Sequence, residues 1–187
     1  MTSQQSNYLE LDQWIDAHFD AQVQFLQALV QVPTDTPPGN NAPHAAKTTE
    51  LLSTMGYKAE QFPVPEAEVK AYGLTSLTNL IVRRPFGAGG KTIALNAHGD
   101  VVPPGEGWTH PPYGAEIENG QMFGRATAVS KCDFSTFTFA LRAVEALQAK
   151  TSCHSKAMLN CISPTTKSLA AKKAPAGCST KATHAPT

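Results

Sequence analysis

The stretch Thr92-Ile-Ala-Leu-Asn-Ala-His-Gly-Asp100 joins a short, almost entirely apolar run to a histidine and an aspartate. The run is typical of a strand that is buried on both faces of an α/β sheet. In open α/β sheets ligands bind beyond the carboxyl ends of the strands, so His98 and Asp100 stand where a site is expected. A neutral imidazole is a good zinc ligand, and a carboxylate beside it can hold its second ring nitrogen. A histidine and an aspartate at this spacing more often have a capping or core role, so a metal site needs support from other residues.

The elements around this stretch alternate between helical and extended patterns. Apolar residues recur at three- and four-residue steps from Leu9 to Val32, which predicts an amphipathic helix ended by Pro33. The later elements are a loop at 34–43, a helix at 45–55, strands at 79–83 and 92–97, a strand pair around 119–120 and a helix at 134–149. This order of helices and strands predicts a layered α/β domain.

Length and composition limit the class of protein. The chain has 187 residues, of which 41% are apolar and 16% are charged, enough for one ordinary globular domain. No apolar run approaches the roughly 20 residues that span a bilayer. Residues 1–7 lack the basic start, apolar centre and small-residue cleavage site of a secretory signal, so we expect a cytoplasmic protein without a membrane partner.

The charges divide the chain into two parts. All 15 acidic residues lie at or before Glu145, whereas residues 151–187 contain five lysines and no acid. This last part is rich in Thr, Ser, Ala, Lys and Pro and shows neither helical nor strand periodicity, so we expect a disordered, low-complexity tail after residue 150. Five scattered lysines without interleaved aromatic residues form no stacking platform, so a nucleic-acid partner is not expected.

The residues that follow Asp100 extend the pattern. His98-Gly-Asp-Val-Val-Pro-Pro-Gly105 leads to a Trp, two prolines and an aromatic residue, and then to Asn119-Gly-Gln-Met-Phe-Gly-Arg125. This combination resembles the signature of the dinuclear zinc hydrolases that include acetylornithine deacetylase, succinyl-diaminopimelate desuccinylase, aminoacylase and carboxypeptidases. The resemblance extends over residues 8–149. It implies that residues 1–150 form the N-terminal part of a three-layer α/β/α catalytic domain.

The resemblance also implies roles for individual residues. The matching His of that family is a zinc ligand and the Asp two residues later supports it, so His98 is the expected metal ligand and Asp100 the expected catalytic support. Most members carry a metal-bridging Asp where this chain has Val129. Val129-Ser-Lys-Cys-Asp133 looks like a variant of that motif, which makes Asp133 the candidate bridging ligand, because positions four apart share a helix face. An acid stabilised at a helix N-terminus is the alternative for Asp133. Ala126 replaces the usual Gly and adds strain if the backbone needs a positive φ.

The activity implied by the resemblance is hydrolysis of an amide bond. Members activate water between two zinc ions, for which cobalt can substitute, with a carboxylate as general base. The implied substrate is a small peptide or an N-acyl amino acid. The base belongs to a Glu-Glu pair after the next strand, and dimerisation uses a separate lid domain. Since no acid follows Glu145 and no lid is present, the chain is expected to be truncated and inactive as given.

The tail suggests an origin for this difference. Residues 156–172 can be read in another frame, in which the last base of each codon is joined to the first two bases of the following codon. In that frame the genetic code permits Gly-Asn-Val-Glu-Leu-His-Phe-Thr-Tyr-Asp-Glu-Glu-Phe-Gly-Gly-Glu. That string resembles the missing strand and Glu-Glu motif. We therefore hypothesise a frameshift near Lys150.

Two other interpretations stay open. The tail could be a small metal-binding segment on a noncatalytic domain, through Cys153, His154, Cys161, Cys178 and His184, although these lack the paired Cys-x-x-Cys knuckles of structural zinc sites. Alternatively, the chain could be a metal-binding or regulatory module that keeps the fold without the chemistry.

The remaining polar and aromatic residues near the signature have ordinary expected roles. His44 is expected to be exposed near a helix cap, and His110 to be a loop residue. Cys132 is expected to be a small packing residue. Lys131 and Arg125 could steer an anionic substrate.

Overall fold

The computed structural model of the chain describes residues 3–87, 91–151 and 158–163. The elements are α1 (Ser3–Ala17), α2 (Phe19–Val30), α3 (Ala42–Thr54), β1 (Ala59–Pro63), α4 (Glu66–Ala71), β2 (Thr78–Pro85), β3 (Thr92–Asn96), β4 (Glu116–Glu118), β5 (Gln121–Phe123), α5 (Lys131–Thr151) and β6 (Met158–Ser163). The mixture of helices and strands confirms the predicted α/β class. Among the described helices, none is both long and apolar enough to cross a membrane.

Four strands form the main sheet, in the order β1-β2-β6-β3. β1 pairs with β2 and β2 with β6 in antiparallel fashion, whereas β3 and β6 are parallel. The register places Cys161 of β6 between Val82 of β2 and Leu95 of β3. The turn that carries His98 and Asp100 therefore leaves the sheet at the carboxyl end of an edge strand. β4 and β5 form a separate antiparallel hairpin.

The burial of β3 differs from the prediction. Its apolar sequence indicated burial on both faces, but most of the strand is exposed and the side chain of Ile93 is 53% exposed. β3 lies at the edge of the described sheet, and α3 packs over β1 and β2 instead. The apolar run therefore marks the strand correctly but does not reveal which part of the sheet the helices cover.

The prediction of no regular structure after residue 150 is wrong for residues 158–163. These residues form β6, between β2 and β3. Four of the six are apolar (Met158, Leu159, Cys161 and Ile162), and such a short apolar run can form a strand when two strands are available as neighbours. The rest of the predicted tail lies outside the described residues.

The first predicted helix is in fact two helices, α1 and α2, separated at His18. The backbone N–H of His18 donates to Ile15 at 3.0 Å. The carbonyl of Trp14, which a continuous helix would use for that N–H, meets Nδ1 of His18 at 2.7 Å, and the two rings stack at 3.8 Å. A side chain that competes for a helical carbonyl ends the helix there, which hydrophobic periodicity does not detect.

The main core lies where α1 and α2 pack against α5. Phe139 of α5 is buried against Phe25 and Trp14. The hydroxyl of Ser135 donates to the carbonyl of Gln22 at 2.8 Å, which fixes α5 against α2. The start of α5, where Asp133 lies, is thereby held in one position relative to the N-terminal helices.

Candidate functional site

The turn after β3 brings His98 and Asp100 into contact. Nδ1 of His98 lies 3.1 Å from the carbonyl oxygen of Asp100 and 3.2 Å from its Oδ1. Both partners are acceptors, so the network assigns the imidazole proton to Nδ1. Nε2 then keeps its lone pair, which is the arrangement that a metal-bound histidine needs. The pair therefore fits one metal ligand with its supporting carboxyl residue.

The loop before α3 holds this turn. Thr34 is buried, and its hydroxyl donates to the carbonyl of Gly99 at 2.6 Å. The backbone N–H of Thr36 donates to the carbonyl of Val101 at 2.8 Å, and the backbone N–H of Val101 donates to the carbonyl of Thr34 at 3.1 Å. A turn with three bonds to the same loop is well ordered, which lowers the entropy lost when a ligand binds.

His44 lies directly beneath the turn, so the expectation of an exposed residue is wrong. It is 2% exposed, and its ring meets the edge of Phe134 at 5.6 Å. Burial, and secondarily the nearby charge of Lys131, lower the pKa of His44 to about 3. α3 begins at Ala42, earlier than predicted, which places His44 in its first turn. The contact that buries it is with Gly99, 55 residues later in the sequence, and no local pattern reports such a contact.

Gly99 is required by this close approach. A Cβ atom added at Gly99 would lie 2.7 Å from Cε1 of His44. We expect Gly99→Ala to lower the free energy of unfolding by about 1–3 kcal/mol, the usual cost of overpacking a buried contact. Urea denaturation followed by circular dichroism measures this change.

A double-mutant cycle tests the cause. If the contact with His44 is responsible, Gly99→Ala costs much less in a His44→Ala background than in the wild type. An equal cost in both backgrounds would contradict the explanation.

Asp133 lies in the first turn of α5. Its Oδ2 accepts a hydrogen bond from the hydroxyl of Ser130 at 2.6 Å, and its backbone N–H donates to the carbonyl of Ser130 at 3.0 Å. Within the described residues, His98, Asp100 and Asp133 do not form a group whose ligand atoms all lie within 4.8 Å of one another. The three predicted site residues therefore do not form one compact ligand set in the described part of the structure.

Lys131 is not available to steer a substrate. It is 0% exposed, and its Nζ donates to the carbonyl of Val32 at 2.6 Å. Burial lowers the pKa of Lys131 to about 8, with the charge of Asp35 acting in the opposite direction. Tyr113 donates its hydroxyl proton to Asp35 at 2.5 Å, and burial followed by that bond raises its pKa. The three side chains tie the start of α5 to the loop that holds the turn.

The backbone at Ala126 adopts a positive φ, which is the condition under which we expected strain at this residue. Its φ is 74°, in the left-handed region that favours glycine. Val129, at the position where a bridging Asp is usual, is 67% exposed. An aliphatic side chain has no ligand atom, so a metal bridge at this position would have to come from another residue.

A group of side chains with potential metal-ligand atoms lies at the β4–β5 hairpin and in the loop before it. His110, Glu116 and Glu118 each offer a ligand atom, and these atoms all lie within 4.8 Å of one another. His110 is in the loop before β4, as predicted, but its proximity to the two carboxylates was not predicted. The alternation Glu-x-Glu in a short strand is the signal that could have indicated it.

The residues of the alternative metal-binding tail cannot be placed in the same way. Cys153, His154, Cys178 and His184 lie outside the described residues, and Cys161 is described only by its backbone in β6.

Sequence comparison with known proteins gives a family match. The model of Peptidase family M20/M25/M40 matches residues 94–160. Succinyl-diaminopimelate desuccinylase of Acidiphilium cryptum is 44% identical over 75 residues, which cover 40% of this chain and 20% of that relative. The enzyme of the same name from Hydrogenovibrio crunogenus is 34% identical over 123 residues, which cover 64% of this chain and 29% of that relative.

Solved structures give the same fold. The di-peptidase Dug1p of Saccharomyces cerevisiae matches with a TM-score of 0.63 and 18% identity, over 84% of this chain and 34% of that one. Human carnosine dipeptidase 1 matches with a TM-score of 0.55 and 18% identity, over 82% of this chain and 33% of that one. The M20 family metallo-carboxypeptidase Sso-CP2 of Sulfolobus solfataricus matches with a TM-score of 0.54 and 18% identity, over 79% of this chain and 30% of that one.

This chain spans about a third or less of the length of each of these relatives. The resemblance to the zinc hydrolases, drawn from the signature around His98, is confirmed at the level of the family. Residues 94–160, which match the model of Peptidase family M20/M25/M40, and the desuccinylase relatives show what this chain is similar to, namely the N-terminal part of a member of that family.

Proposed function

We propose that this chain carries part of a zinc-dependent hydrolase that cleaves the amide bond of a small peptide or an N-acyl amino acid. The observation that carries the proposal is the geometry of the turn after β3. There Nδ1 of His98 contacts Asp100, so the lone pair of Nε2 is available to bind a metal. The names of the relatives support the substrate class, because they include a desuccinylase, a di-peptidase and a metallo-carboxypeptidase. The proposed location is the cytoplasm.

The chain's own residues prepare one side of such a site. The main-chain carbonyl of Asp100 accepts the Nδ1 proton of His98, and the carboxylate Oδ1 lies 3.2 Å from the same nitrogen, so the residue restricts the orientation of the ring. Thr34 and His44 hold the turn from the other side. A zinc ion bound to Nε2 of His98 would supply Lewis-acid polarisation and an acidified water. We propose Asp133 as the further carboxylate ligand, since it lies in the first turn of α5, a helix that is held against the same core.

We also propose that the chain has no turnover by itself. The described residues assemble no group of three ligands around His98. Hydrolysis by this chemistry also requires a general base positioned at the attacking water. Assays with dipeptides and N-acyl amino acids, with added zinc or cobalt, are expected to remain at background, and robust turnover would contradict the proposal.

Zinc binding at the turn is tested with His98→Ala. Removing the only imidazole of the turn is expected to abolish zinc binding there, and Asp100→Asn is expected to weaken it by roughly 10–100-fold, as loss of a residue that orients a ligand usually does. Isothermal titration with zinc measures both changes. His18→Ala, which removes an imidazole that stacks on Trp14 between α1 and α2, is the control. Zinc affinity unchanged by His98→Ala would reject the assignment.

A second candidate function is a metal-binding or regulatory module without catalysis. The exposed Val129 at the usual bridging position favours it, because a dinuclear centre needs a bridging oxygen ligand. Zinc stoichiometry separates the two functions. A zinc ion that is bound by the wild type and lost in His98→Ala favours the hydrolase function. Absence of a zinc ion at the turn favours a module that keeps only the fold.

We further propose that the sequence after Lys150 results from a frameshift. The reading of codons 156–172 in the alternative frame supports it through the Glu-Glu string. The family match continues to residue 160, so the nucleotides from codon 150 to beyond codon 172 are the ones to read. An intact frame, with no Glu-Glu string in the alternative one, would reject the proposal.

A further inference from the structure

We propose that the β4–β5 hairpin carries a second metal site, separate from the turn after β3, in which His110, Glu116 and Glu118 bind a divalent transition metal such as Zn²⁺. The proposal does not depend on the hydrolase function. It rests on the geometry of the hairpin, the orientation of the imidazole and the uncompensated charge of the two carboxylates.

The hairpin separates a polar face from an apolar one. β4 and β5 pair so that Glu116 is opposite Phe123 and Ile117 is opposite Met122. Because side chains alternate along a strand, Glu116 and Glu118 share one face, whereas Ile117 projects from the other. Ile117 and Met122 line an apolar cavity of about 360 Å³ beside α2 and the start of α5. The two carboxylates are therefore directed away from this cavity.

His110 is already oriented toward the carboxylates. Its ring stacks on Phe123 with the centroids 4.0 Å apart and an angle of 20° between the planes. Its Nδ1 lies 2.9 Å from Oε2 of Glu116. Stacking and hydrogen bonding together restrict the ring, so little side-chain entropy remains to be lost when a metal binds.

The spacing of the ligand atoms suits a transition metal. All three atoms lie within 4.8 Å of one another. Zinc binds imidazole nitrogen and carboxylate oxygen at about 2.0–2.2 Å, which places neighbouring tetrahedral ligands about 3.3 Å apart. Small side-chain rotations of the exposed glutamates would bring the ligand atoms from their present separations to this tetrahedral spacing. One nitrogen and two carboxylates favour zinc over calcium or magnesium, which prefer sets of oxygen ligands.

The charge of this face favours a cation. In the part of the chain that the structure describes, neither Glu116 nor Glu118 forms an ion pair with a lysine or arginine, and Glu116 lies beside the imidazole of His110. Two carboxylates held close together repel each other, and a shared divalent ion relieves that repulsion. Both glutamates are exposed, so an ion can reach them directly from solvent.

The experiment isolates the hairpin by using the whole chain with His98→Ala as background. Zinc titration by calorimetry compares this background with chains that also carry Glu118→Gln or His110→Gln. The matched control is Glu106→Gln, an exposed glutamate of the preceding loop. Because all the chains contain the same cysteines, zinc bound elsewhere contributes equally to each measurement.

We expect both hairpin variants to lower zinc affinity at least tenfold, with no effect of Glu106→Gln and no competition from a tenfold excess of Mg²⁺. Circular dichroism confirms that the variants remain folded, and a Co²⁺ absorption band lost in Glu118→Gln provides a second readout. If zinc affinity in the His98→Ala background is unchanged by Glu118→Gln and His110→Gln, or if that background binds no zinc, the proposal is overturned.

Discussion

Replacing Phe139 by alanine is expected to lower the free energy of unfolding by about 3–5 kcal/mol, the usual range for a buried phenylalanine. Phe139 is 2% exposed and lies where three helices meet. Its ring meets the edge of Phe25 at 6.1 Å and lies 6.4 Å from Trp14. Truncation therefore leaves a cavity among α1, α2 and α5 and removes two aromatic contacts. Urea denaturation followed by circular dichroism measures the loss.

The control for Phe139→Ala lies on the same helix. Val144 is 40% exposed, so Val144→Ala removes little buried surface and should cost less than about 1 kcal/mol. The interpretation would fail if Phe139→Ala destabilised the protein no more than Val144→Ala.

Lowering the pH from 7 to 4 is expected to destabilise the protein by about 3 kcal/mol through His44 alone. The pKa of His44 is about 3 in the folded chain and 6.5 when unfolded. Between these values the unfolded chain binds a proton that the folded chain does not, so stability falls by about 1.4 kcal/mol for each unit that the pH drops. The stabilisation by neutral His44 is complete above about pH 6.5 and is lost progressively toward pH 3.

His44→Gln separates this effect from the titration of carboxylates. Glutamine does not titrate, so the difference in unfolding free energy between pH 7 and pH 4 should be smaller in the variant by about 3 kcal/mol. The titration of carboxylates contributes equally to the pH dependence of both chains, so it cancels when the two are compared. An equal pH dependence in wild type and His44→Gln would show that His44 is not responsible.

Local patterns in the sequence predicted the strand before the turn and the contact within it. The apolar run at 92–97 gave β3 almost to the residue, and the spacing of His98 and Asp100 was enough to bring their side chains together. Both features depend on residues that are close in sequence. The family signature implies roles for these residues, which spacing alone does not supply.

Features that depend on distant residues were not predictable. His44 is buried by Gly99, and β3 is exposed because α3 covers the other end of the sheet. β6 forms between strands that lie more than 60 residues earlier in the chain. The position of Asp133 relative to the turn likewise depends on how α5 packs, whereas helix periodicity only places Asp133 on a face.

The pairing of α2 with α5 has a consequence for the order in which the chain folds. The hydrogen bond from Ser135 to Gln22 closes a loop of 113 residues, and the one from Lys131 to Val32 closes a loop of 99. Closing loops of this length costs chain entropy before any contact repays it, so such contacts form late. During synthesis, the apolar residues of α1 and α2 that pack against α5 therefore lack this partner until α5 has left the ribosome, although α2 can already contact α3.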